Sequence, residues 1–264
     1  LEDATLLGPI LVVVLILLLL NPKLLPSIGT WLGGRARKPY HQAKWMWSSF
    51  AGSEEDSIRA EREYGQECSR AFASQFSGTA SRSDQALVTS IGDTLAKAVN
   101  DPRRRFDFAI VEPAPANAFA LPGGFIFITA SLLDLCRRDR DAIAFFLGHE
   151  IGHVLHEHAR DRMTADAFLN AVMSRMPAAG KMIADLIRKG YSQEQELEAD
   201  RSAVRLAAAA GFDARAALTA LKQLSQVAPD PSGISEYLST HPSISERVRR
   251  LEESLEWRAG GARE

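Results

Sequence analysis

The spacing of hydrophobic positions changes several times along the chain, and each change marks an element. Residues 4–20 are apolar and uncharged, interrupted only by Gly8 and Pro9. Leu24, Leu25, Ile28, Trp31 and Leu32 then recur at helical spacing behind Pro22. Gly52 to Asp56 reads as a linker, and alternating charge predicts a helix over about 57–76, with a second over 83–99 ending at Asn100-Asp101-Pro102. Phe106, Phe108 and Ile110 alternate in strand fashion within 105–112, and 125–129 is a second short strand behind Gly123-Gly124. Between them, Asn117, Ala118, Phe119 and Ala120 make a short exposed sheet edge or one arm of a plain hairpin. The run 142–155 is apolar on nearly every side, which predicts a buried helix. Further helices follow over 163–189 (rich in Met and Ala, broken near Pro177 and Gly180), from about 194 to 210, and over 213–227. Ser243 and Glu246 form a capping box for a last helix with Ile244, Val248, Leu251 and Leu255 on one stripe.

Composition adds a compartment to this pattern. The 264 residues are 46% hydrophobic and 24% charged with net charge −2, which suits one globular domain plus an appendage and gives no reason to expect nucleic-acid binding. The two cysteines, Cys68 and Cys136, form no CxxC pair. The first apolar run spans roughly 25 Å as a helix, a little under a hydrocarbon core of ~30 Å. Glu2 and Asp3 precede it where a secretory signal would be basic, so it reads as a retained anchor. Lys23, Arg35, Arg37, Lys38 and Lys44 follow without an acid before residue 50, interleaved with Trp31, Trp45 and Trp47. That composition belongs at an anionic bilayer surface, and the bias places the following residues, 22–264, on the cytoplasmic side.

The candidate chemistry lies inside the buried helix, in His149-Glu150-Ile151-Gly152-His153. Positions four apart sit one above the other on a helix, so His149 and His153 present two imidazoles to one point. This is the arrangement for two ligands of one Zn²⁺ ion, with Glu150 beside them as general base. Left without partners, such buried groups would cost roughly 1–3 kcal/mol each. A third ligand is needed. The pattern HExxHxxGxxH fails because His156 stands for the glycine and Ala159 for the third histidine, and Val154 rules out HxxEH. His156 lies a turn beyond the pair. Glu196, in Glu194-Gln195-Glu196-Leu197-Glu198-Ala199-Asp200, is the best candidate. Glu194, Glu198 and Arg201 share a stripe where they can pair in solvent, whereas Glu196 falls opposite with Asp200 and Ala203. Asp200 then suits a hydrogen bond to the far nitrogen of a ligand histidine. The bland reading is a charged, exposed helix start.

Taken together, HEIGH, the later ELEAD, Asn117-Ala118-Phe119-Ala120-Leu121-Pro122-Gly123-Gly124 and His241-Pro242 with Glu246-Arg247 resemble one family. It is the gluzincin family of membrane-associated zinc endopeptidases (metallopeptidase family forty-eight) that includes the CaaX prenyl proteases, the bacterial heat-shock protease HtpX and the Oma-type stress proteases. The resemblance spans roughly residues 60–255. It implies His149, His153 and Glu196 as ligands of one Zn²⁺, Glu150 as general base, and Asn117, Ala118 and Phe119 as an edge to which a substrate strand adds. The first 35 residues or so also resemble TatA-type translocase subunits, with Leu20-Asn21 where those carry Phe-Gly at the hinge.

These readings define an α+β, mainly helical zincin-like metallopeptidase domain with a small β-sheet, preceded by one transmembrane helix. The expected organisation is an anchor over 1–21, an amphipathic basic segment and linker over 22–56, the peptidase over 57–258 and a tail over 259–264. His241 is a further site residue, as an oxyanion donor, a fourth zinc ligand or a structural cap. The stretch 163–189 is either a lid over the cleft or a packed connecting helix pair. Partners are a protein or peptide substrate and membrane lipid, with self-association admitted but not required. Two rival functions are a translocase-associated binding module and a chaperone-like quality-control factor, and Glu150 speaks against a pure binder.

Overall fold

A computed structural model of the chain describes residues 44, 45, 48, 52–74, 76, 78, 80–112, 114–158, 190–226, 240–242 and 244–261. The apolar run 4–20, most of the basic segment and the stretch 163–189 lie outside these. Among the described residues no helix is long and apolar enough to cross a membrane.

Short polar side chains start the helices. Helix α1 (Glu54–Ala73) opens at Ser53, whose side chain accepts from the Asp56 amide, with three acids in its first turn. The expected linker therefore ends at Ser53, because that cap and those acids satisfy a helix N-terminus. Helix α2 (Arg82–Val99) is capped by Ser81 and stops at Asn100 in the left-handed region, φ 55°. Strands β1 (Asp107–Val111), β2 (Ala118–Leu121) and β3 (Phe125–Thr129) come next, then a short α3 (Ala130–Leu135). Helix α4 (Arg140–Leu155) is capped by Asp139, and α5 (Gln193–Ala209) opens on a Ser192/Gln195 capping box. Helices α6 (Ala216–Gln226) and α7 (Ile244–Gly261) complete the order, α7 running beyond the expected domain end at 258.

The sheet order is β1-β3-β2, with β1 parallel to β3 and β2 antiparallel to it. Gly123 and Gly124 make the β2–β3 turn at φ 77° and 83°, and a Cβ on Gly124 would lie 2.2 Å from the Arg105 carbonyl oxygen. Alternation along the strands feeds two cores. Ala118, Ala120, Ile126 and Ile128 join Ile91 and Leu95 of α2 and Phe145, Leu147 and Ile151 of α4. Phe119, Leu121, Phe125 and Phe127 join Tyr64, Cys68 and Phe72 of α1. Phe119 stacks on Phe127 at 5.4 Å, and Phe72 meets both rings edge-on.

This sandwich corrects two expectations. Strand β2 is terminal in the sheet order, but all four of its residues are buried, because helices cover both faces. The expected exposed edge is thus an enclosed one. Trp45 is not at a bilayer surface either: it is 1% exposed and stacks on Tyr64 at 5.5 Å, with Lys44 paired to Glu63 alongside.

Candidate metal centre

A close crossing of α4 and α5 builds the site. Gly148 and Gly152, four apart on α4, face Ala203 and Ala199, four apart on α5. A Cβ on Gly152 would lie 3.0 Å from the Ala199 Cα, and one on Gly148 3.2 Å from the Ala203 Cα. Glycine hydrogens on α4 against the small alanines of α5 let the backbones approach, which brings His149 and His153 onto Glu196.

Four donors converge there. The Nε2 atoms of His149 and His153 are 3.0 Å apart. Glu196 Oε1 is 3.3 Å from His153 Nε2, and Glu196 Oε2 is 3.5 Å from His149 Nε2. His241 Nδ1 lies 3.3 Å from His149 Nε2 and 3.1 Å from Glu196 Oε1. A tetrahedral zinc with bonds of about 2.0–2.1 Å needs donors separated by about 3.3–3.4 Å. These five spacings lie at 3.0–3.5 Å around that value, one donor atom from each residue falls within 4.8 Å of the others, and these four are the metal-competent group among the described residues. Three carboxylates (Glu150, Glu196 and Asp200) and one guanidinium, Arg247, are buried together here. With neutral imidazoles this leaves two uncompensated negative charges, which a divalent cation cancels. The residues fit zinc.

Around the donors, each group has a specific holder. His149 Nδ1 lies 2.9 Å from Asp200 Oδ1, and Arg247 donates to both Asp200 oxygens at 2.7 Å while its Nη1 sits 2.8 Å from Glu196 Oε2. Tyr191 stacks on the His153 ring at 3.6 Å. His241 Nε2 approaches the Ala118 carbonyl at 3.2 Å and Glu150 Oε1 at 3.5 Å. Glu150 is 1% exposed and lies beside the Ala120 backbone.

The charges follow from these neighbours. Burial pushes the Glu150 carboxyl up against weaker opposition from His241 and His149. Burial also drives His153 well below the usual imidazole range. For His149, burial and Arg247 disfavour the charge, but Glu196 and Asp200 outweigh them and raise it to about 9. Burial opposes ionisation of Glu196 and Asp200; His241, Arg247 and His149 nevertheless hold Glu196 well below the carboxylate range, and Arg247 with His149 lowers Asp200.

Of the residues expected at the site, His149, Glu150, His153, Glu196, Asp200 and His241 come together within one buried cluster. Ala118 reaches it through its carbonyl. Asn117 hydrogen-bonds across to Thr129 through its backbone, and Phe119 points into the aromatic layer on the far face of the sheet. Glu198 does not pair with Arg201 in solvent as expected; its carboxylate lies 3.2 Å from both His156 Nδ1 and His158 Nε2. No motif in the sequence singles out Tyr191 or His158, and Arg247 stands out only within the stretch that resembles the family.

A buried HExxH helix crossed by a glutamate-bearing helix, with a small sheet alongside, is the arrangement of a zinc metallopeptidase site, and its donors are the metal-competent group found among the described residues. Comparison with known proteins agrees. The family model for Peptidase family M48 matches residues 82–255, from the start of α2 into α7, and the chain belongs to that family. It is 34% identical over 152 residues to the mitochondrial metalloendopeptidase OMA1 of Arabidopsis thaliana, covering 55% of this chain and 31% of that protein. It is 29% identical to the OMA1 of Schizosaccharomyces pombe, covering 55% and 45%. It is 27% identical over 200 residues to the beta-barrel assembly-enhancing protease of Escherichia coli O157:H7, covering 67% and 41%. The chain thus spans less than half the length of these relatives.

Proposed function

We propose that the protein is a membrane-anchored endopeptidase of protein quality control in which His149, His153 and Glu196 hold the zinc and Glu150 is the general base. One observation carries the reading: the buried Glu150 stands beside the converged donors but outside that group, with its Oε1 3.5 Å from His241 Nε2. Zinc, when bound, supplies Lewis-acid polarisation of the scissile carbonyl and acidification of water. Glu150 takes the proton as the water oxygen bonds to the carbonyl carbon. It then passes that proton to the amine as the C–N bond breaks, a cycle suited to a carboxylate raised by burial. Asp200 and Arg247 orient His149 and Glu196. The placement of His241 Nδ1 favours the fourth-ligand role over the oxyanion or cap roles. A catalytic zinc keeps one position open, so turnover requires this ring to leave it. The enclosed β2 edge, with Ala118 and Asn117, is where an extended substrate backbone is expected to add once His241 releases the Ala118 carbonyl.

The anchor is residues 4–20, with residues 22–264 on the cytoplasmic side and substrates drawn from there or from the inner bilayer face. The basic residues after that run support this topology. An impermeant thiol reagent that labels a cysteine introduced near Gly260 on intact cells would overturn it. For the chemistry, Glu150→Gln is expected to abolish casein hydrolysis while about one zinc remains bound per chain. Retained turnover in metal-loaded variant protein would sink the mechanism. Chelator-insensitive binding without cleavage by the parent protein would instead favour a binding module.

A further inference from the structure

The far nitrogen of each zinc-site histidine on α4 is met by a different device, and only that of His149 involves the expected Asp200. His153 Nδ1 lies 2.9 Å from Nδ1 of His158, which is 3% exposed, with the rings 5.1 Å apart at 67°. His158 Nε2 in turn lies 3.2 Å from Glu198 Oε2. We propose that His158 is a positioning residue for the zinc ligand His153, acting as the middle member of a relay from His153 to Glu198.

The tautomers make the relay directional. An imidazole that offers Nε2 to a metal as a neutral ligand carries its proton on Nδ1. His153 Nδ1–H then needs an acceptor, so His158 Nδ1 must be bare. His158 accordingly carries its proton on Nε2, which donates to the Glu198 carboxylate. Every nitrogen in the row has one consistent role, and both imidazoles remain neutral. The carboxylate at the end strengthens the donor row and raises the basicity of His153 towards the metal.

The backbone is shaped to deliver this ring. Helix α4 ends at Leu155, His156 caps it, and Glu157 takes the left-handed conformation at φ 55°, turning the chain back so that His158 reaches under the last turn. Such a conformation is uncommon for a residue other than glycine. It is held from outside. Arg104, whose side chain is 8% exposed, donates to the Val154 carbonyl at 3.4 Å and meets Glu157 Oε1 at 3.3 Å. Tyr191 closes the opposite side of His153 by stacking. His153 is therefore fixed in tilt by His158 and in plane by Tyr191.

The inference rests on His153 being a zinc ligand, as in the proposed function, and the test separates the two. Zinc affinity is measured on full-length protein by competition with a chromophoric chelator, with circular dichroism of the metal-free form as the folding control. His158→Leu is expected to weaken zinc binding by roughly 10–100-fold. His158→Asn, whose side-chain oxygen stands where Nδ1 does, recovers most of that loss, whereas His158→Gln does not. Simple packing would order these variants by size and polarity. Should the variants fold poorly, long-range ¹H–¹⁵N spectra of the zinc-loaded parent protein decide the matter, with His158 expected as the Nε2–H tautomer. Unchanged affinity in His158→Leu, equal rescue by Gln and Asn, or an Nδ1–H tautomer at His158 would each overturn the relay. Failure of the parent protein to bind zinc would overturn the proposed function instead.

Discussion

At the scale of single residues, the site separates groups that meet the metal from groups that hold them. Glu196 is buried and shared between two histidines, whereas Glu194 is exposed on the same helix. Glu196→Ala is therefore expected to lower zinc affinity most. Asp200→Ala should cost roughly 10–100-fold, in line with loss of a partner to a ligand histidine, and Glu194→Ala should leave affinity unchanged in a metal titration. The helical-face argument separates Glu196 from Glu194 without any tertiary information, because side-chain direction follows from 3.6-residue periodicity. It places Glu198 on a partly exposed face but gives it other partners than the structure does. That residue shares the stripe of Glu194, but the chain's return after α4 brings His156 and His158 to it, and no local pattern carries that approach. Cys136 makes a simpler case: burial pushes its thiol up to about 12. Native protein should leave Cys136 unlabelled by a thiol reagent at pH 8, with reaction appearing on denaturation.

At the scale of elements, the α4–α5 crossing is set by surfaces rather than by attraction between particular side chains. Gly152→Val places branched carbon where a Cβ already lies 3.0 Å from backbone. It should destabilise by about 1–3 kcal/mol or more in chemical denaturation and loosen zinc binding with it, since Glu196 rides on α5. Charges at element ends give a pH signature. Arg103 bridges Asp101, after α2, to Glu54 at the start of α1 and holds Asp101 at about 2. A folded value below the ordinary 3.8 means that this contribution is complete above that value and disappears as pH falls towards 2. Arg103→Ala should accordingly melt below the parent protein at pH 7, and the two melting curves should converge on acidification. Element types were legible in advance because their periods are local: β1, β3, α2 and α5 stand within a few residues of their expected bounds. The short α3 was missed. Six residues between a strand and a helix N-cap offer less than two turns of pattern to read.

For the whole molecule, Arg247 ties the end of the chain to its centre. It is fully buried on α7 and bonds Glu196 and Asp200 of α5. Arg247→Leu takes the guanidinium away from two buried carboxylates and should destabilise the metal-free fold by about 3–5 kcal/mol. Added zinc should restore more stability to this variant than to the parent protein, a difference that denaturation with and without metal would read. The helix carrying HExxH and the face that Glu196 and Asp200 share apart from Glu194 were legible in the sequence, because each rests on periodicity within one element. Tertiary structure alone decided that β2 is enclosed, that Trp45 belongs to the core and that His241 Nδ1 stands among the four donors that could hold a metal. It also decided that Arg247 and His158 secure the site from two sides. Those facts depend on which faces meet after the chain has folded, and meetings such as His158 with Glu198, 40 positions apart, or Arg247 with His149, 98 apart, leave no period in the sequence.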